Sequence, residues 1–163
     1  MQTIHDLVRL AAARRPGHVA IADDRTDRRL TYRQLLAEID AYAAGFAALG
    51  LGPGKIVATV LPNLLEHALV LLALHRLGAV PAMINARLKP EEAAGLVKQG
   101  EMAGAVTLPD EAMVRALAGV LPKTEYQQLE NDVLGDILRI FNDPALQNAT
   151  GVFTHPLAAR ADR

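Results

Sequence analysis

Cysteine and tryptophan are both absent from these 163 residues, and three tyrosines and three phenylalanines are the whole aromatic complement. Without cysteine there is no disulfide, no thiolate metal site and no cysteine nucleophile, a usage that suits a cytoplasmic protein. An excess of either charge is missing too. The formal net charge is −1, with basic residues scattered among Asp and Glu, so nothing electrostatic argues for nucleic acid or an anionic membrane surface as a partner. Long hydrophobic runs are also lacking. The longest, residues 68–74, is flanked by Glu66, His67, His75 and Arg76 and falls far short of the roughly 20 residues of a membrane span. The first residues form a polar, helix-like pattern with no apolar signal core, so no secretory signal is expected.

What is present is a globular composition, 51% hydrophobic and 21% charged. A chain of this length buries roughly 70% of its unfolded surface as one domain. Thr3 and Asp6 open a first helix that Pro16-Gly17 ends. Residues 19–22 and 28–30 read as two short strands about a polar turn. Thr31 and Gln34 form a capping box for a long helix whose stripe is Leu35, Ile39, Tyr42, Phe46 and Leu49, closed by Gly50.

From there the pattern alternates. Residues 56–61 predict a strand covered on both faces, Asn63 and Glu66 the start of a capped helix that Gly78 ends, and residues 80–84 another buried strand. Pro90, followed by Glu91 and Glu92, starts a helix that Gly100 closes. Residues 103–107 predict a third strand, and Asp110 caps a helix to about Ala118. Strands alternating with helices predict right-handed βαβ crossovers and a parallel sheet. Beyond Val120 the character changes: Tyr126, Leu129, Val133, Ile137 and Phe141 form an amphipathic stripe, no further strand is expected, and residues 142–163 show no sustained periodicity.

Four strings follow one another in order: LTYRQL (residues 30–35), LPN (61–63), LGAVPAMIN (77–85) and LKPEE (88–92). Together they resemble the opening of the adenylate-forming superfamily, the AMP-dependent synthetases and ligases that include acyl-CoA synthetases, luciferases and peptide-synthetase adenylation domains. LGAVPAMIN resembles acyl-CoA synthetases more than peptide-synthetase domains. The resemblance covers about residues 1–110. It implies an α/β fold: a βαβ-type three-layer unit with a partly parallel sheet, like the start of the large N-terminal domain of those enzymes. The expected division is a partial AMP-binding-like subdomain at 1–119 and a helical divergent tail at 120–163 with one amphipathic helix at about 124–141.

For the full-length family the resemblance implies ATP, Mg²⁺ and CoA, and activation of a carboxylic acid. The family's Ser/Thr/Gly-rich loop ending in Pro-Lys, its aromatic-Gly-x-Thr-Glu motif, its ribose-binding Asp and its catalytic Lys match no string here. Lys123 is the last lysine, and Ala149-Thr150-Gly151 is followed by no Pro-Lys. The sequence therefore predicts no catalytic residue, cofactor site or metal site in this chain alone.

Other candidates have plainer readings. The glycine-rich stretch 50–54 follows a helix and precedes a strand, the reverse of a phosphate-binding loop, and reads as a helix stop and turn. His67 and His75 lie eight residues apart on one helix, about 12 Å, too far to share a metal. Asp23, Asp24 and Asp27 alternate with Arg25, Arg28 and Arg29 as a solvated turn. Glu91, Glu92 and Glu101 read as helix-start and surface charges, and His5, His18 and His155 lack triad neighbours. Asn85, at the end of a predicted parallel strand, is the one polar residue placed for substrate contact, with a structural hydrogen bond as its competing reading.

Three functions stay open: a partial acid–CoA ligase inactive alone, a non-catalytic interaction module, and one half of a split ligase. An uncovered sheet edge predicts self-association, or pairing with a complementing ligase chain.

Overall fold

A computed structural model describes residues 3–122 and 152–154 of the chain. The first helix, α1 (Ile4–Arg14), starts at the expected capping box: Thr3 Oγ1 accepts from the Asp6 amide, and the Asp6 carboxylate accepts from the Thr3 amide. A two-stranded antiparallel hairpin follows, β1 (Val19–Asp23) and β2 (Arg28–Thr31). Thr31 and Gln34 then cap α2 (Tyr32–Ala48) reciprocally, and Gly50 takes a φ of 77° just past its end.

The remaining described elements are β3 (Ile56–Val60), α3 (Leu65–Arg76), β4 (Val80–Met83), α4 (Pro90–Gln99), β5 (Gly104–Thr107), α5 (Glu111–Ala118) and β6 (Val152–Thr154). Strands β4, β3, β5 and β6 form one parallel sheet in that spatial order. Its two faces bury separate cores. Val57 and Val106 join Ile39, Phe46, Leu69 and Leu74 of α2 and α3. Ala58, Val60 and Ala105 face the other way, onto Val97 of α4 and Val114 and Leu117 of α5. Alternation along β3 and β5 thus makes one sheet the middle of three layers, as predicted.

Three expectations are corrected. A fourth strand, β6, pairs in parallel with β5 where no strand was expected. Three residues are too short for a period-2 signal, and each partner lies 47 positions earlier, as Ala105 does from Val152, so the pairing is invisible locally. Second, β4 is not a buried strand but an edge, with Val80 51% and Met83 71% exposed. Third, Asn63 does not cap α3. Leu64 holds the cap position with no side-chain bond, Asn63 is exposed, and Glu66 serves an ion pair instead of a capping box. A turn from the Pro62 carbonyl to the Leu64 amide (2.9 Å) delays the helix and lets Leu65 bury. The predicted 124–141 helix lies outside the described residues.

The β4 edge has its own chemistry. The Val80 and Ile84 amides donate to Lys55 and Thr59 carbonyls on the β3 side at 2.8 and 3.0 Å, so the alternate residues, Pro81 and Met83, face outward. Proline has no N–H, which leaves Met83 as the strand's one outward donor and blunts the edge.

Candidate functional site

Parallel strands bring their C-terminal ends to one side of the sheet, where open α/β sheets form ligand crevices. There β3 leads through Leu61 and Pro62 towards α3, β4 through residues 84–89 to α4, and β5 through residues 108–110 to α5. Three polar side chains at this edge accept from backbone amides. Asn85 is exposed; its Oδ1 accepts from the Arg87 amide at 3.0 Å, and its carbonyl accepts from the Leu88 amide at 3.1 Å. The side chain builds the turn that passes β4 to α4. Glu92 accepts from the Lys89 amide at 2.9 Å, and Asp110 from the Met113 amide at 2.7 Å.

Beside this edge an open groove of about 460 Å³ lies between the hairpin turn (Asp23, Arg25), the start of α3 (Leu64, His67, Leu71) and Met83 of β4. His67 lines it, and its Nε2 lies 3.1 Å from Oγ1 of the fully buried Thr59. Burial lowers the His67 pKa below 6.5, opposed by the Pro62 backbone, so the ring is held neutral. Asp23 accepts from the Arg25 amide at 2.9 Å. That bond chiefly lowers its pKa, and the Leu65 amide at the first position of α3 contributes in the same direction. The hairpin thereby presents a carboxylate to a helix start that has no cap of its own.

Behind the groove Arg28 donates to Glu66 at 2.7 Å and to Glu38 at 3.2 Å. Reading Arg28 as part of a solvated turn is therefore corrected: its partners lie 38 and 10 residues away, beyond any local pattern. Tyr42 is packed nearby, and burial, then Glu66 and Glu38, push its hydroxyl pKa upward. The sequence also missed the His67–Thr59 bond, which joins a strand to the helix after it.

No group of three or more metal-ligating side chains occurs among the described residues, and His75 is exposed on α3 well away from His67. The glycine-rich stretch 50–54 serves as a turn, with the Gly54 amide donating to the Gly78 carbonyl at 2.9 Å. Among the described residues no glycine loop opens a helix, and Asn85 Oδ1, Glu92 and Asp110 at the strand ends serve a turn or a cap, so the described strand ends offer no built site for a magnesium–nucleotide. No helix among the described residues is long and apolar enough to cross a membrane.

The three-layer unit with this strand order is an α/β fold, and comparison with known proteins gives the family. The family model described as AMP-binding enzyme matches residues 8–156, and the chain belongs to that family. It is 37% identical over 156 residues to a 4-chlorobenzoate–CoA ligase of Arthrobacter sp, covering 96% of this chain and 29% of that protein. A ligase of the same name from Pseudomonas sp. (strain CBS-3) is 37% identical over 137 residues, covering 83% of this chain and 25% of its own length. Among solved structures, the N-terminal domain of FACL13 from Mycobacterium tuberculosis superposes with a TM-score of 0.67 at 24% identity, covering 99% of this chain and 36% of that one. The Klebsiella oxytoca NpsA N-terminal subdomain, in complex with anthranilyl-AMSN, gives 0.61 at 25% identity over 65% of this chain and 27% of its own.

The chain therefore spans under a third of the length of the curated relatives it matches. The family match also continues past residue 120, where the motifs alone placed a departure.

Proposed function

We propose that this chain is the N-terminal portion of an AMP-dependent ligase that joins an aryl carboxylic acid to CoA, and that it forms no acyl-adenylate by itself. The observation that carries the proposal is one alignment: 37% identity to the Arthrobacter 4-chlorobenzoate–CoA ligase across 96% of this chain but 29% of that enzyme. Adenylate formation requires preorganised donors and a cation on a phosphorus centre whose charge is spreading. The sequence has no Ser/Thr/Gly-rich loop ending in Pro-Lys and no lysine after Lys123, and Asn85 Oδ1 and Asp110 at the strand ends accept from backbone amides. In the whole ligase, ATP, Mg²⁺ and CoA would be handled by segments beyond those described, with this portion supplying one wall of the crevice. Asn85 belongs to that wall as a candidate substrate contact through its turn.

The test is isothermal titration of the chain with MgATP, alongside an assay for pyrophosphate release with 4-chlorobenzoate. Neither saturable heat nor pyrophosphate is expected. Release of pyrophosphate by the chain alone would overturn the proposal. The aryl assignment is checked separately by a chimera in which residues 3–122 replace the matching stretch of the Arthrobacter enzyme. It should retain 4-chlorobenzoyl-CoA formation, and a soluble, folded chimera active only on aliphatic acids would remove the aryl assignment.

We keep a second reading, a split ligase or interaction module, because Val80 and Met83 leave apolar surface at the β4 edge. It predicts a co-purifying partner chain and activity only in the mixture. A partner that restores activity but still binds a Met83→Asp variant with unchanged affinity would place the contact elsewhere.

A further inference from the structure

The N-terminal helix is held to the body by little apolar surface. No residue of α1 is fully buried; Ile4, Leu7 and Leu10 are 48%, 53% and 40% exposed, and Val8 reaches the larger core. Its packing is onto α2 and α3. Within that contact His5 Nδ1 is shut off from solvent and has no hydrogen-bond partner. The charged groups facing the ring come from all three helices: Asp6 and Arg9 on α1, Asp40 on α2 and Arg76 on α3. Asp40 already accepts from Arg76 Nε and is thereby engaged.

A neutral imidazole tolerates this setting, since one of its nitrogens carries no proton. An imidazolium has an N–H on both nitrogens, and each needs an acceptor. Nδ1 has none among the described residues, and both Arg76 on α3 and Arg9 on the same helix oppose a charged ring. We propose that His5 is an acid-operated latch: its protonation releases α1 from α2 and α3 while the sheet and its other helices stay folded.

The direction follows from the environment. Burial first and then Arg76 lower the His5 pKa, with Asp40 opposing, Arg9 adding to the lowering and Asp6 opposing. The undocked helix returns the ring to its ordinary value near 6.5. Docking is therefore at full strength above that value and declines as pH falls below it towards the lower docked pKa. Release is local, because α1 shares no fully buried side chain with either core.

Amide hydrogen exchange on the full chain, at about pH 7.5 and about pH 5.5 and corrected for intrinsic rates, tests the latch. The α1 amides should lose several-fold more protection on acidification than those of α4, and His5→Leu should remove that difference. Equal losses in α1 and α4, or a difference that persists in His5→Leu, would overturn it. An NMR titration of the wild-type ring gives a check that needs no variant: a His5 titration at or above 6.5 also sinks the latch.

Discussion

Arg28 Nη1 lies 2.7 Å from Glu66 Oε1, tying the hairpin to α3 across 38 residues of sequence. The Glu66 side chain is only 11% exposed and that of Arg28 30%, so the pair sits where solvent screens it partly. Glu38 completes the arrangement from α2.

Breaking this pair from one side leaves a carboxylate without its cation. Arg28→Met should cost about 2 kcal/mol, reduced from the fully buried case because Arg28 reaches solvent. The double variant Arg28→Met/Glu66→Leu should recover most of that loss, and Glu38→Gln should cost less than about 1 kcal/mol. Urea denaturation of the three variants checks the order, and a double variant no more stable than Arg28→Met would refute it.

Acid should weaken the fold through His67. Its pKa is lowered in the folded state, chiefly by burial, while the unfolded chain titrates near 6.5. The unfolded state then binds more protons as pH drops below that value, so stability is full above 6.5 and declines as pH falls towards the folded pKa. Thermal melts between neutral pH and pH about 5 should show a smaller fall in Tm for His67→Gln than for the wild type. A parallel fall in both would assign the acid sensitivity to other groups.

Pro81 guards the free side of β4. Replacing it with valine restores an outward N–H beside that of Met83, giving an added strand two donors to pair with. Sedimentation velocity should find Pro81→Val more self-associated than the wild type at equal concentration. Identical profiles would show that proline is not what limits pairing there.

Two glycines should respond to alanine with opposite signs. Gly95 lies inside α4, and an added Cβ meets nothing within 4 Å, so Gly95→Ala should stabilise by about 0.5–1 kcal/mol. Gly78 has a φ of 71°, a backbone conformation that a side chain strains, so Gly78→Ala should destabilise by about 1 kcal/mol or more. Chemical denaturation of both variants decides, and shifts of the same sign would contradict the backbone argument.

Features written within a few neighbouring residues were legible in the sequence. The Thr3/Asp6 and Thr31/Gln34 boxes, the stop at Gly50 and the start at Pro90 were each specified locally and each formed as expected. Asn63 had the right chemistry for a cap, but the turn at Pro62 moved the helix start past it. Arg28 looked like a solvated charge because its partner on α3 comes from a distant part of the chain. Strand β6 was hidden for the same reason. At the candidate site, Asn85 was found from the strand-end rule, but whether its amide holds a ligand or a turn depends on the backbone path after it. The groove itself arises from the approach of two sheets that share no sequence pattern.

The strand order also says when each part can form as the polypeptide leaves the ribosome. Strand β3 acquires β4 and then β5 through short crossovers, and α5 closes the second face by Leu121. The last described strand enters only at Val152, so its pairing with β5 must wait for a far longer stretch of chain. A nascent chain that has extruded α5 and Leu121 therefore already carries every residue of the two described cores, and the β5 edge of the sheet waits for residues made some thirty positions later.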